Sequence, residues 1–114
     1  MLLIITLFGL AILAGLSLVF MGLRYQRSSL VLGLGHAGIA LTAVILLIMY
    51  IIREATSHML YNDAALLFVL TLAGGIVLLM TRSNNKSAPM PVVIVHASLA
   101  LIALALLING YTQG

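Results

Sequence analysis

Four long apolar stretches, 2–23, 30–52, 60–80 and 90–110, alternate along the chain with three short polar ones. The only acidic or basic residue within the four is Asp63, near one end of the third. Each stretch has the roughly 20 apolar residues that a helix needs to cross a hydrocarbon core about 30 Å thick. The pattern therefore predicts an all-α fold, a four-transmembrane-helix bundle occupying 1–114 as one integral membrane domain. The first stretch lacks a basic start, exceeds the apolar length of about 7–15 residues typical of a secretory signal, and runs straight into Arg24, so it is expected to remain as a helix.

Composition points the same way. Of 114 residues, 64% are hydrophobic and 6% charged, whereas soluble domains carry about a quarter charged residues. With no cysteine in the chain, disulfides, iron–sulfur clusters, thiolate nucleophiles and thioether-linked haem are excluded.

Charge gives the helices a direction. Arg24 and Arg27 lie in the first connection and Arg82 and Lys86 in the third, while the second holds Arg53 beside Glu54. The positive-inside rule makes the first and third connections cytoplasmic. The expectation is a multi-pass protein of the bacterial inner membrane with both termini periplasmic. Pro91 suits the start of the fourth helix, where a missing N–H costs nothing.

The chain also repeats itself. At an offset of 60, the segment 36–48 overlies 96–108 with His36 on His96, Ala43 on Ala103 and Leu47 on Leu107. The preceding helices also match at offsets of 59 or 58, where Leu13-Ala14-Gly15 overlies Leu72-Ala73-Gly74 and Arg24 overlies Arg82. This reads as a duplicated helical hairpin, repeat one 1–52 and repeat two 60–111, with a slightly longer second loop. Two hairpins in the same orientation imply a pseudo-two-fold axis along the membrane normal, making His36 and His96 equivalent. Both lie six residues into their helices, about 9 Å from the cytoplasmic end at 1.5 Å per residue.

An ionisable side chain inside a membrane span is costly, which makes the histidine pair the candidate site. Neutral imidazoles bonded to neighbouring carbonyls or hydroxyls would merely hold helices together. Two imidazoles facing each other across a bundle are also the axial ligand set of one b-type haem, which needs no cysteine. Gly33, Gly35 and Gly38 around the first histidine, Ala97 and Ser98 beside the second, and Gly15, Gly74 and Gly75 on the other hairpin arms would provide room for a flat ring, although small residues equally serve close helix packing. Arg24 and Arg82 would lie at the end reached by the haem propionates, although the positive-inside rule alone also puts them there.

Helix count, His36, His96 and the glycine-rich flanks resemble the small four-helix membrane b-type cytochromes. The resemblance implies a haem clamped by transmembrane histidines, with electrons exchanged with quinone or a redox partner subunit. Those cytochromes often use four histidines for two haems, and only two histidines lie within the spans here.

Other classes fit less well. Small multidrug transporters need a buried carboxylate, and 2–23 has none. A closed tetrahedral metal site needs about four ligands, and two histidines supply half. A cofactor-free accessory subunit of a larger membrane complex is the alternative function. The partners implied are the lipid bilayer, quinone, a redox or membrane-complex subunit and a second copy of the chain, with no nucleic acid. His58 reads as a solvated loop residue, the six methionines as apolar filling, and Tyr25, Tyr50, Tyr61 and Tyr111 as boundary anchors.

Overall fold

A computed structural model describes residues 1–25, 30–54, 59–83 and 90–113. They form α1 (Leu2–Tyr25), α2 (Leu30–Glu54), α3 (Met59–Ser83) and α4 (Met90–Gln113). Among the described residues there is no strand. Each helix contains a stretch of 21–23 residues long and apolar enough to span a membrane. Helix is the form these sequences must take in lipid, because it pairs the backbone polar groups within the segment. The hydroxyls follow the same economy: Thr6, Ser17, Thr42, Thr71 and Thr81 each donate to the carbonyl four residues earlier, at 2.8–3.0 Å.

The bundle is square and elongated, 44 × 19 × 18 Å. Helix α1 packs against α2 and α4, and α3 against α2 and α4. The closest packing lies within each hairpin. Among the described residues no Cα of α1 approaches one of α3 within 8 Å, nor one of α2 a Cα of α4, so these pairs are the diagonals. The outward surface is apolar along its length, with Leu3, Ile52, Leu66 and Val31 all strongly exposed. That is a surface for lipid contact. Since lipid tails are as apolar as leucine, helix association in a bilayer rests on close packing rather than on the hydrophobic effect.

Among the described residues, full burial is concentrated in one half of the bundle. Ile4, Phe8, Ala11, Ala43, Val44, Leu47, Tyr61, Ala64, Phe68, Thr71, Ala103 and Leu107 are buried. All lie toward the end that holds both termini and the connection between α2 and α3. Across 12–22, 31–42, 72–81 and 90–102 no residue is buried. The buried core therefore lies in the termini end.

Burial reveals the internal symmetry. Phe8 pairs with Phe68, Ala11 with Thr71, Ala43 with Ala103 and Leu47 with Leu107, all 60 positions apart. The Phe8 and Phe68 rings stack across the α1/α3 diagonal, centroids 3.7 Å apart and planes 5° from parallel. The spatial register is thus 60 throughout, and the offsets of 59 and 58 for α1 against α3 are corrected. Leu13-Ala14-Gly15 matched Leu72-Ala73-Gly74 only because α3 has two successive glycines; Gly15 corresponds to Gly75, as its contacts below make plain. With one register on both sides of the connections, no residue is inserted in the second hairpin, and the slightly longer second loop expected from the offsets is corrected with them.

Tyr61 departs from the anchoring role. It is buried, its ring lies edge-on to that of Tyr50 with centroids 5.9 Å apart, and it rests on Gly110. A glycine at 110 lets the ring lie almost on the α4 backbone. Tyr111, 44% exposed, keeps the boundary position expected of an anchor.

Candidate functional site

His36 sits on the second turn of α2 and His96 on the second turn of α4. The square bundle places these helices on a diagonal, so both imidazoles meet at the centre. Their ring centroids are 6.2 Å apart and their planes 80° from parallel.

Each ring is held from within its own hairpin. His36 Nδ1 is 2.6 Å from the carbonyl oxygen of Ala11 on α1, and His96 Nδ1 is 2.9 Å from that of Thr71 on α3. A carbonyl oxygen only accepts, so both Nδ1 atoms carry the proton. In the neutral ring Nε2 then keeps its lone pair, and among the described residues neither Nε2 has a hydrogen-bond partner. Committing one nitrogen to a backbone carbonyl and leaving the other basic is how proteins orient histidines that ligate metals.

Glycines on the facing helices allow this placement. A Cβ at Gly15 would stand 3.1 Å from Cε1 of His36, and one at Gly75 would stand 3.2 Å from Cε1 of His96. A Cβ at Gly74 would likewise stand 3.5 Å from Nδ1 of His96. The sequence offered small residues on both arms of each hairpin, and the structure brings Gly15, Gly74 and Gly75 to the rings. The structure puts Gly35 and Gly38 on the exposed face of α2, where an added Cβ would meet nothing within 4 Å. The signal that finds the right glycines is Gly15 and Gly75, equivalent at the same offset as the histidines.

Arg24 and Arg82 fall in the last turns of α1 and α3, at the basic end; their side chains lie outside the described part, as do those of Tyr25, Arg27, Lys86 and His58. Asp63 is exposed near the termini end. No group of three or more metal-ligating side chains occurs among the described residues, so the candidate donor set is the imidazole pair.

Comparison with protein-family models, characterised proteins and solved structures gives no match.

The donor set can be tested against the group the sequence suggested. A metal–imidazole bond of about 2.0–2.1 Å, with roughly 1 Å more from nitrogen to ring centre on each side, separates the centroids of a coaxial bis-imidazole complex by about 6 Å. The separation here is 6.2 Å. The Phe8–Phe68 stack closes the termini side of the pair. The donor chemistry and the ring separation would suit a metal centre shared by the two imidazoles.

The two half-sites differ in one detail that can be checked. Thr71 stands where Ala11 stands in the first hairpin, and its hydroxyl donates to Leu67 O at 2.8 Å, not to the histidine. His96 is held by the Thr71 backbone. Thr71→Ala is therefore expected to leave the site intact and to change stability by less than about 1 kcal/mol, read from the unfolding midpoint in mixed micelles.

Proposed function

We propose that this chain is a membrane electron-transfer protein that holds one b-type haem between His36 and His96. The observation that carries the proposal is the symmetric imidazole pair, 6.2 Å between centroids, with each Nδ1 tied to a carbonyl and each Nε2 left without a partner among the described residues. Two basic nitrogens in a membrane interior call for a shared occupant, because unpaired polar atoms there are costly.

When bound, the haem supplies a one-electron redox couple whose potential the axial ligands, burial and hydrogen bonding tune. The chain's residues supply the rest. The Ala11 and Thr71 carbonyls fix both tautomers and make the imidazoles stronger donors. Gly15, Gly74 and Gly75 let the rings lie close to α1 and α3. The Phe8–Phe68 stack walls off the termini side. Arg24 and Arg82 sit on the helix ends nearest the propionates in this reading, available to neutralise them. In this proposal the basic end faces the cytoplasm of a bacterium, both termini are periplasmic, and quinone or a redox partner subunit exchanges electrons with the haem.

One observation favours the cofactor-free accessory subunit instead. The imidazoles already contact each other edge to face, an arrangement that aromatic packing stabilises without help. An optical spectrum separates the two readings. Protein expressed with ample haem and purified in detergent is expected to show a sharp α-band on dithionite reduction, at one haem per chain. A colourless protein that remains folded by circular dichroism would sink the haem reading and leave the accessory subunit.

A further inference from the structure

The two hairpins differ at the termini end. Between α1 and α2 an open cavity of about 180 Å³ is lined chiefly by Leu3, Ile4, Leu46, Met49, Tyr50 and Arg53. The lining is apolar but for Arg53 and the N-terminal residue Met1, and Arg53 forms no ion pair among the described residues. Arg53 is also the one arginine or lysine at this end of the bundle, because the other four belong to the first and third connections.

The register of 60 shows what the second hairpin has at the same places. Tyr50 corresponds to Gly110, onto which Tyr61 folds, and Tyr61 itself corresponds to Met1. Leu3 corresponds to Asp63, Met49 to Asn109 and Arg53 to Gln113. The substitutions share a direction. The second hairpin replaces the cation with a neutral amide, adds a carboxylate and closes the α3–α4 interface with an aromatic ring. The first keeps an apolar groove with a cation in its lining, at the depth where lipid headgroups meet acyl chains.

We propose that the α1–α2 cavity binds one anionic phospholipid, its phosphate on Arg53 and an acyl chain along Leu3, Ile4, Leu46 and Met49. Charge complementarity selects the occupant, since a guanidinium pairs with phosphate oxygens in a bidentate manner. The apolar lining gives the acyl chain a fitted surface in place of bulk lipid. This site is independent of the haem and stands or falls separately from it.

The test is lipid retention by the delipidated full chain, measured by native mass spectrometry. Phosphatidylglycerol and phosphatidylcholine of matched acyl chains are the probes, with oleate as a third. Wild type is expected to retain one phosphatidylglycerol more than Arg53→Gln does, and to bind that lipid about fivefold more tightly than the variant, the worth of one basic side chain at a charged lipid surface. Leu3→Asp, which installs the carboxylate of the second hairpin, is expected to lose the same lipid, and Arg53→Lys to keep most of it. The four basic residues at the other end bind alike in all variants and so cancel in the comparison. Equal retention by wild type and Arg53→Gln overturns the proposal. So does displacement of the lipid by equimolar oleate, which would make the site one for free fatty acids.

Discussion

Alanine at either His36 or His96 is expected to lower haem retention at least a hundredfold while leaving a folded bundle. On the fold side, each substitution removes one ring and one hydrogen bond to a backbone carbonyl, worth about 0.5–1.5 kcal/mol. On the haem side, it removes one of two ligands from a site with no third candidate among the described residues. The same spectra of the two variants carry the test, with circular dichroism as the folding control. Retention of the α-band in either variant would show that the imidazole pair is not the ligand set.

Valine at Gly15 or Gly75 is the companion experiment. An added Cβ already stands 3.1–3.2 Å from a ring carbon, close enough that the imidazole must give by a few tenths of an ångström. The two methyls of valine demand more, and the ring cannot retreat without leaving the carbonyl that orients it. Haem retention is expected to fall about tenfold, in line with the loss of supporting contacts at metal sites. Gly35→Val and Gly38→Val point into open space and are expected to leave the spectrum unchanged. An equal effect at all four glycines would contradict the placement of the rings.

The second large effect is expected at the opposite end, from Gly110→Val. A Cβ there would lie 2.7 and 2.9 Å from two carbons of the Tyr61 ring and 3.3 Å from Cβ of Leu60. Real side chains do not tolerate such approaches, so the ring or the helix must move. The ring is hemmed in by Tyr50, and the neighbouring interior is the half of the bundle that holds the buried core. Overpacking of this kind costs about 1–3 kcal/mol. Unfolding in mixed micelles should show a loss of that size, against little change for Gly9→Val and Gly22→Val, where nothing lies within 4 Å. A stability loss at Gly110 no larger than at these two would mean that α3 and α4 approach less closely at this end.

Much of this architecture is legible in the chain because lipid imposes simple rules. Spans must be long and apolar, connections must be polar, and both features survive a reading by eye. The histidine pair is legible too, because an identity between rare polar residues in a membrane sequence is not produced by composition. The glycine contacts are harder to read. Gly35 and Gly38 are adjacent to His36 along the chain, yet on a helix of 3.6 residues per turn neighbours in sequence point to different sides. What a ring touches is set by the helix opposite, and only the register between α1 and α3 reveals it. That register was obscured by the consecutive glycines of α3, which offer two alignments where the packing permits one. Tyr61 was likewise misread: a tyrosine at a membrane boundary commonly anchors, and only the glycine across from it on α4 shows that this one turns inward.

Each hairpin carries half of the site together with the carbonyl that steadies it: His36 with Ala11, His96 with Thr71. The hydrogen bond that orients each ring comes from its own hairpin, and the seam between the two hairpins runs through the imidazole pair. Any occupant shared by both rings spans that seam and acts as a rivet, drawing its binding energy into the docking of one hairpin on the other. The buried core lies to the termini side of that pair, so the rivet would fasten the bundle beyond the reach of its core.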